Sequence, residues 1–184
     1  PFSGYLLLHE FGHSFAGLAD EYYTSSTAYT DFYPSGSEPV EPNLSATTDR
    51  ASIKWADLIA PSTPLPTPWD KSDFDRADLS YQEARRMIDD AVARAERSDA
   101  MPIEREALRA AAREHALARI EAVDRFMASS GLTAVVGAFK GAGYVSEGLY
   151  RPSIDCLMFS RGEKPLCPVC RRAVAERIAY YTGL

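Results

Sequence analysis

His9-Glu10-Phe11-Gly12-His13, continuing through Ser14-Phe15-Ala16 into Gly17-Leu18-Ala19-Asp20-Glu21-Tyr22, is the stretch around which this 184-residue sequence organises itself. The spacing predicts a helix from Ser3 to Ala16, with Ser3 as N-cap and Gly17 ending it at the C′ position. Residues four apart share a helix face, so His9 and His13 can aim a ring nitrogen each at one Zn²⁺ at about 2.0–2.1 Å. Glu10 lies beside them, where a carboxylate can act as general acid and base toward metal-bound water. Tyr5, Leu6, Leu7, Leu8, Phe11, Phe15 and Ala16 surround this helix almost completely, which predicts a central, buried element. Two histidines and a glutamate inside such a helix are costly to bury unless a metal takes up their polarity.

Gly17 permits a turn that swings the chain back toward the metal and presents a third ligand. The spacing is close to the HExxHxxGxxH/D pattern of metzincins, with one extra residue before the glycine, and Asp20 falls at the third-ligand position. Glu21 is the rival donor. The remaining histidine, His115, sits in an Arg- and Glu-rich segment and reads as a solvated or half-buried helix residue.

With 46% hydrophobic and 25% charged residues the chain can bury a core of one ordinary domain's size. Its net charge of −6 speaks against nucleic acid or anionic membranes as partners, since phosphate binding calls for a basic face. Tyr5-Leu6-Leu7-Leu8 is too short to span a bilayer and lacks the flanks of a signal peptide. Because the first residue lies so near the metal-binding pair, the sequence reads as a fragment whose upstream sheet has been left out.

Further along, Tyr23 to Thr48 is rich in Ser, Thr, Pro, Gly and Tyr and predicts an irregular surface loop facing substrate or flanking the metal. Ile53 to Ile59 reads as a short apolar element, and Pro61 to Pro68 as an extended linker. Apolar residues at helical spacing predict helices over Tyr81–Arg97 and Ile103–Ser129, joined by a turn at Ser98 to Pro102 as an antiparallel hairpin. A β-branched run at Thr133 to Val136 leads into the glycine-rich 137–148, where backbone geometry matters most, and Arg171–Tyr181 reads as a closing helix.

The signature from His9 to Tyr22 resembles that of the bacterial IgA-metallopeptidase family, zinc endopeptidases related to the metzincins. Further blocks carry the resemblance: Ile53-Lys54-Trp55 with Pro66-Thr67-Pro68, Val136-Gly137 with Gly141-Ala142-Gly143-Tyr144, Gly148-Leu149-Tyr150-Arg151-Pro152 running into Cys156-Leu157-Met158, and Cys167-Pro168-Val169-Cys170. Residues 70 to 132 fall outside it, and Lys140 stands where that family leads one to expect an acid. The resemblance implies that Met158 occupies the Met-turn, an apolar floor beneath the zinc ligands, and that Tyr150 and Arg151 orient a substrate carbonyl or its oxyanion, with Tyr22 an equal candidate.

Three cysteines fall short of a four-ligand zinc knuckle, so no second metal site is expected. A disulfide from Cys156 to Cys167 or Cys170 would instead tie the Met-turn to the last helix, and it implies a secreted or cell-envelope location. Cys-Pro-Val-Cys at a helix start also matches a redox motif, without the surrounding βαβ pattern. The expected fold is mainly α in this chain, as the C-terminal portion of an α+β zincin domain of metzincin-like type. It divides into 1–71 with the metal-binding helix and ligand loop, 72–131 as a helical-hairpin insertion, and 132–184 with the Met-turn and last helix. The expected function is that of a zinc-dependent endopeptidase with one catalytic Zn²⁺, acting on a protein or peptide substrate. A non-catalytic zinc-fold binding module, and a scaffold whose hairpin recruits a protein partner, are the alternatives.

Overall fold

A computed structural model describes residues 3–24, 32–34 and 36–183, with Ser3 by its backbone alone. The chain is mainly helical: α1 (Ser3–Ala16), a single 3₁₀ turn (Ala56–Leu58), α2 (Lys71–Glu96), α3 (Pro102–Ser129), strands β1 (Phe139–Ala142) and β2 (Val145–Arg151), and α4 (Pro168–Thr182). It falls into two compact units, one of residues 1–69 with 127–184 and one of residues 70–126. None of the described helices is long and apolar enough to cross a membrane.

In the first unit α1 ends where Gly17 takes φ 62°, with its N–H on the His13 carbonyl at 3.1 Å and the Leu18 N–H on Gly12 at 3.2 Å. The expectation of a helix buried all round is corrected. His9, Gly12 and Ala16 form a buried stripe, whereas Leu6, Leu7, Leu8 and Phe11 are exposed. The described residues cover only the histidine-bearing side, so apolar composition overstated the burial of the other. β1 and β2 form an antiparallel hairpin in the glycine-rich segment, with Phe139 opposite Arg151 and Ala142 opposite Val145. Its two-residue turn, Gly143 at φ 57° and Tyr144 at φ 68°, has the left-handed pair of angles of a type I′ connection, whose twist suits a hairpin.

Two loop expectations change as well. Of the segment 23–48, residues 25–31 and 35 lie outside the described residues, but Asn43, Leu44 and Ser45 are fully buried. Ser45 exchanges backbone hydrogen bonds with Tyr150, extending the hairpin by one bridge. The segment taken for a linker is fixed to the core: Thr67 is buried and pairs with Ala138 through both backbone and side chain, and the indole N–H of buried Trp55 donates to the Gly137 carbonyl at 2.7 Å. α4 starts with Pro168 in its first turn, buries Val169, Cys170 and Ala173, and reaches α1 through Arg177, whose Nε donates to the Phe15 carbonyl.

In the second unit α2 and α3 run antiparallel, because Glu96 near the end of α2 pairs with Arg109 early in α3, while Phe74 meets Phe126 at the opposite end. α2 begins ten residues before the predicted Tyr81, at Lys71. Its added turns carry Phe74 and the buried Asp78, which binds Arg119. His115 stacks on Tyr81 at 4.5 Å, a half-buried helix residue as its surroundings in the sequence suggested.

Candidate metal centre

His9 and His13 are placed by the pitch of α1, and Asp20 is carried back to them by the reversal at Gly17. The His9 and His13 Nε2 atoms are 3.1 Å apart, and Asp20 Oδ1 lies 2.9 Å from the first and 3.3 Å from the second. Each Nδ1 faces a backbone carbonyl, Leu157 at 3.3 Å for His9 and Leu18 at 2.6 Å for His13. A carbonyl can only accept, so a neutral imidazole at either position keeps its proton on Nδ1 and leaves the Nε2 lone pair for a metal; the Tyr5 hydroxyl also lies 3.3 Å from His9 Nδ1. Carbonyl-fixed tautomers of this kind are how metal-binding imidazoles are oriented. Four-coordinate zinc with bonds of about 2.0–2.1 Å has ligand atoms about 3.3 Å apart along each tetrahedral edge. The three distances match that edge closely enough for the donor set to fit zinc.

Asp20 has a further partner that sequence reading missed. The Tyr144 hydroxyl donates to its Oδ2, so one carboxylate oxygen is steadied while the other faces the imidazoles. The left-handed conformation of Tyr144 costs a non-glycine residue on the order of 1–2 kcal/mol, and the turn aims the phenol at Asp20. The Gly143 and Tyr144 N–H groups also bond the carbonyls of Asp20 and Tyr22, at 3.1 and 3.0 Å, so hairpin turn and ligand segment hold each other. The Gly-Ala-Gly-Tyr block was visible as a motif, but nothing in it announced a bond across 124 positions. Tyr144→Phe is expected to weaken metal binding by about 10- to 100-fold, the usual size of an outer-shell loss, with secondary structure unchanged. Titration with a competing chelator, alongside circular dichroism, measures both.

Burial works to raise the Asp20 carboxyl, but hydrogen bonds from His13, His9 and Tyr144 outweigh it and hold the group well below the usual carboxylate range. His13 is raised above its ordinary value, chiefly by its hydrogen bond to Asp20. In metal-free protein the His13 contribution is fully present below an unfolded value of about 6.5 and is lost as pH rises through the raised folded value. The Asp20 contribution is present above about pH 4 and lost only as pH falls toward its depressed folded value. Metal-free protein should therefore lose thermal stability as pH rises from about 6, and zinc, which replaces the proton, should reverse the loss. Melting curves with and without zinc test this; a flat metal-free profile across that range counts against it.

Glu10 is solvent-exposed on α1, next to His9 in sequence. Met158 is fully buried beneath the same helix: a Cβ on Gly12 would lie 2.9 Å from its Sδ, so the glycine is what admits the methionine between the two histidines' turns. Tyr22 is half-buried, its ring 6.5 Å from that of His9 and its hydroxyl 3.5 Å from that of Tyr144. Tyr150 is half-buried in β2. Arg151, expected to meet substrate, is wholly enclosed and donates to the carbonyls of Lys140, Gly141 and Ile154. A guanidinium so enclosed serves the fold.

Glu21, the rival third ligand, points the other way. It is fully buried beside Cys156, Cys167 and Cys170, which are free thiols, so the expected disulfide is not formed. The Cys156 and Cys170 sulfurs are 3.8 Å apart, against about 2.05 Å for a bond, because the three thiols are arranged around a common point rather than in pairs. Burial above all, and after it the hydrogen bond with Cys167, pushes the Cys156 thiol up. Such buried thiols give no disulfide exchange partner access, which also disfavours the redox reading, and they no longer point to an oxidising compartment.

The family model described as IgA peptidase M64 matches residues 1–178. The chain belongs to that family. IgA peptidase M64 is a peptidase family, and its match spans α1, the Asp20 turn and the β1–β2 hairpin, the elements that carry His9, His13, Asp20 and Tyr144, and reaches into α4. No curated protein matches the chain.

Proposed function

We propose that this chain carries the catalytic centre of a zinc-dependent endopeptidase, with His9, His13 and Asp20 holding the ion, and that it forms the C-terminal portion of an α+β zincin domain of metzincin-like type. The convergence of two Nε2 lone pairs and one carboxylate oxygen on a single point, each Nδ1 being fixed by a carbonyl, carries the reading. Zinc, when bound, supplies a Lewis acid that polarises a peptide carbonyl and acidifies water. Glu10, exposed beside His9, takes the proton of the attacking water and returns it to the departing amine. Tyr144 keeps Asp20 oriented, and Met158 supplies the apolar floor of a Met-turn. Tyr22, beside His9, is better placed than Arg151 to meet a substrate oxygen.

The test uses the whole protein. Stripping metal with a chelator should abolish peptide hydrolysis, and zinc should restore it in the wild type but not in His13→Ala. Undiminished hydrolysis after the metal has been shown to be gone would overturn the proposal.

A further inference from the structure

We propose that Glu21, Cys156, Cys167 and Cys170 form a second, structural metal site, suited to zinc and separate from the histidine centre. The three cysteines looked one ligand short in sequence, and the fold supplies the fourth from the residue after Asp20. One ligand atom from each residue lies within 4.8 Å of the other three, and all four side chains are buried. Zinc–thiolate bonds of about 2.3 Å set sulfurs about 3.8 Å apart along a tetrahedral edge. The Cys156 and Cys170 sulfurs are separated by 3.8 Å, and Cys170 Sγ lies 3.1 Å from Glu21 Oε1.

A second observation points to an ion. Glu21 Oε2 is fully buried and has no hydrogen-bond partner among the described residues, although Oε1 accepts from Asn43 Nδ2 at 3.0 Å. A buried carboxylate oxygen left without a partner is costly, and a cation held by the thiolates beside it would remove that cost. Cys156 Sγ also accepts the backbone N–H groups of Cys167 at 3.2 Å and Met158 at 3.5 Å, the outer-shell bonds that favour a coordinating thiolate. Four ligands, none replaceable by solvent in this enclosure, describe a closed structural site rather than a catalytic one. Coordination exchanges the thiol and carboxyl protons for the ion and releases them to water.

The proposal stands apart from the peptidase reading, because metal content can be counted without activity. Wild-type complete protein should contain two zinc ions for each copy of this chain. One should remain when His9→Ala and His13→Ala are combined, and one should be lost in Cys167→Ser. Cobalt(II) loaded into the double histidine variant should show thiolate-to-metal charge-transfer absorption. Should Cys167→Ser fail to fold, titration of folded wild type with a mercurial thiol reagent should still release one equivalent of zinc as the three thiols react. A single zinc in wild type that the double histidine variant loses entirely, or a disulfide found by mass among these cysteines, would overturn it.

Discussion

Glu10→Gln is expected to keep its metal and lose peptide hydrolysis. The amide has the size and hydrogen-bonding reach of the carboxylate but cannot accept a proton, and the three converging donors are His9, His13 and Asp20, so coordination should be untouched. General acid–base assistance contributes about 10²- to 10⁴-fold, equivalent to about 3–5.5 kcal/mol of barrier. A fall in kcat of at least about 100-fold with unchanged zinc content is the expected result. It should be measured on the complete protein with a peptide substrate. Equal kcat in the variant would remove Glu10 from the mechanism.

Arg151→Ala should act on stability instead. The guanidinium is fully enclosed, bonds three carbonyls, and lies 4.0 Å from the centroid of the Phe159 ring and 4.7 Å from that of Trp69. Burial draws it down to about 10, so it remains charged at neutral pH. Truncation opens a cavity and orphans buried acceptors, a combined cost of about 3–5 kcal/mol. At roughly 2–4 °C per kcal/mol, Tm should fall by about 10 °C, while KM of the protein that stays folded is unchanged. Lysine should restore only part of the loss, because one ammonium cannot reproduce a planar fork spread over three carbonyls. A raised KM at unaltered Tm would return Arg151 to the substrate.

What could be read from sequence follows the range of the interactions. The helix carrying His9 and His13, its stop at Gly17 and the turn that brings back Asp20 are local, set by residues within a few positions of one another, and they were legible. The separation of Asp20 from Glu21 was not, since it depends on Asn43, Tyr144 and the three cysteines, which arrive from distant parts of the chain. Arg151 was misread because a motif position reveals a residue type and not whether the backbone closes over it. The exposed leucines of α1 show the converse: an all-round apolar pattern gives hydrophobicity without naming what covers it.

The peptide joining Asp20 to Glu21 ties two clusters into one lever. Its two carboxylates leave on opposite sides, one toward the imidazoles and one toward the thiols. Inserting or deleting a single residue here would reverse the facing of everything beyond it, much as a slipped register does in a sheet. A segment with no regular secondary structure thus tolerates no change of length, and variation in this protein should be found in the identity of its neighbours rather than in the spacing from Gly17 to Tyr22.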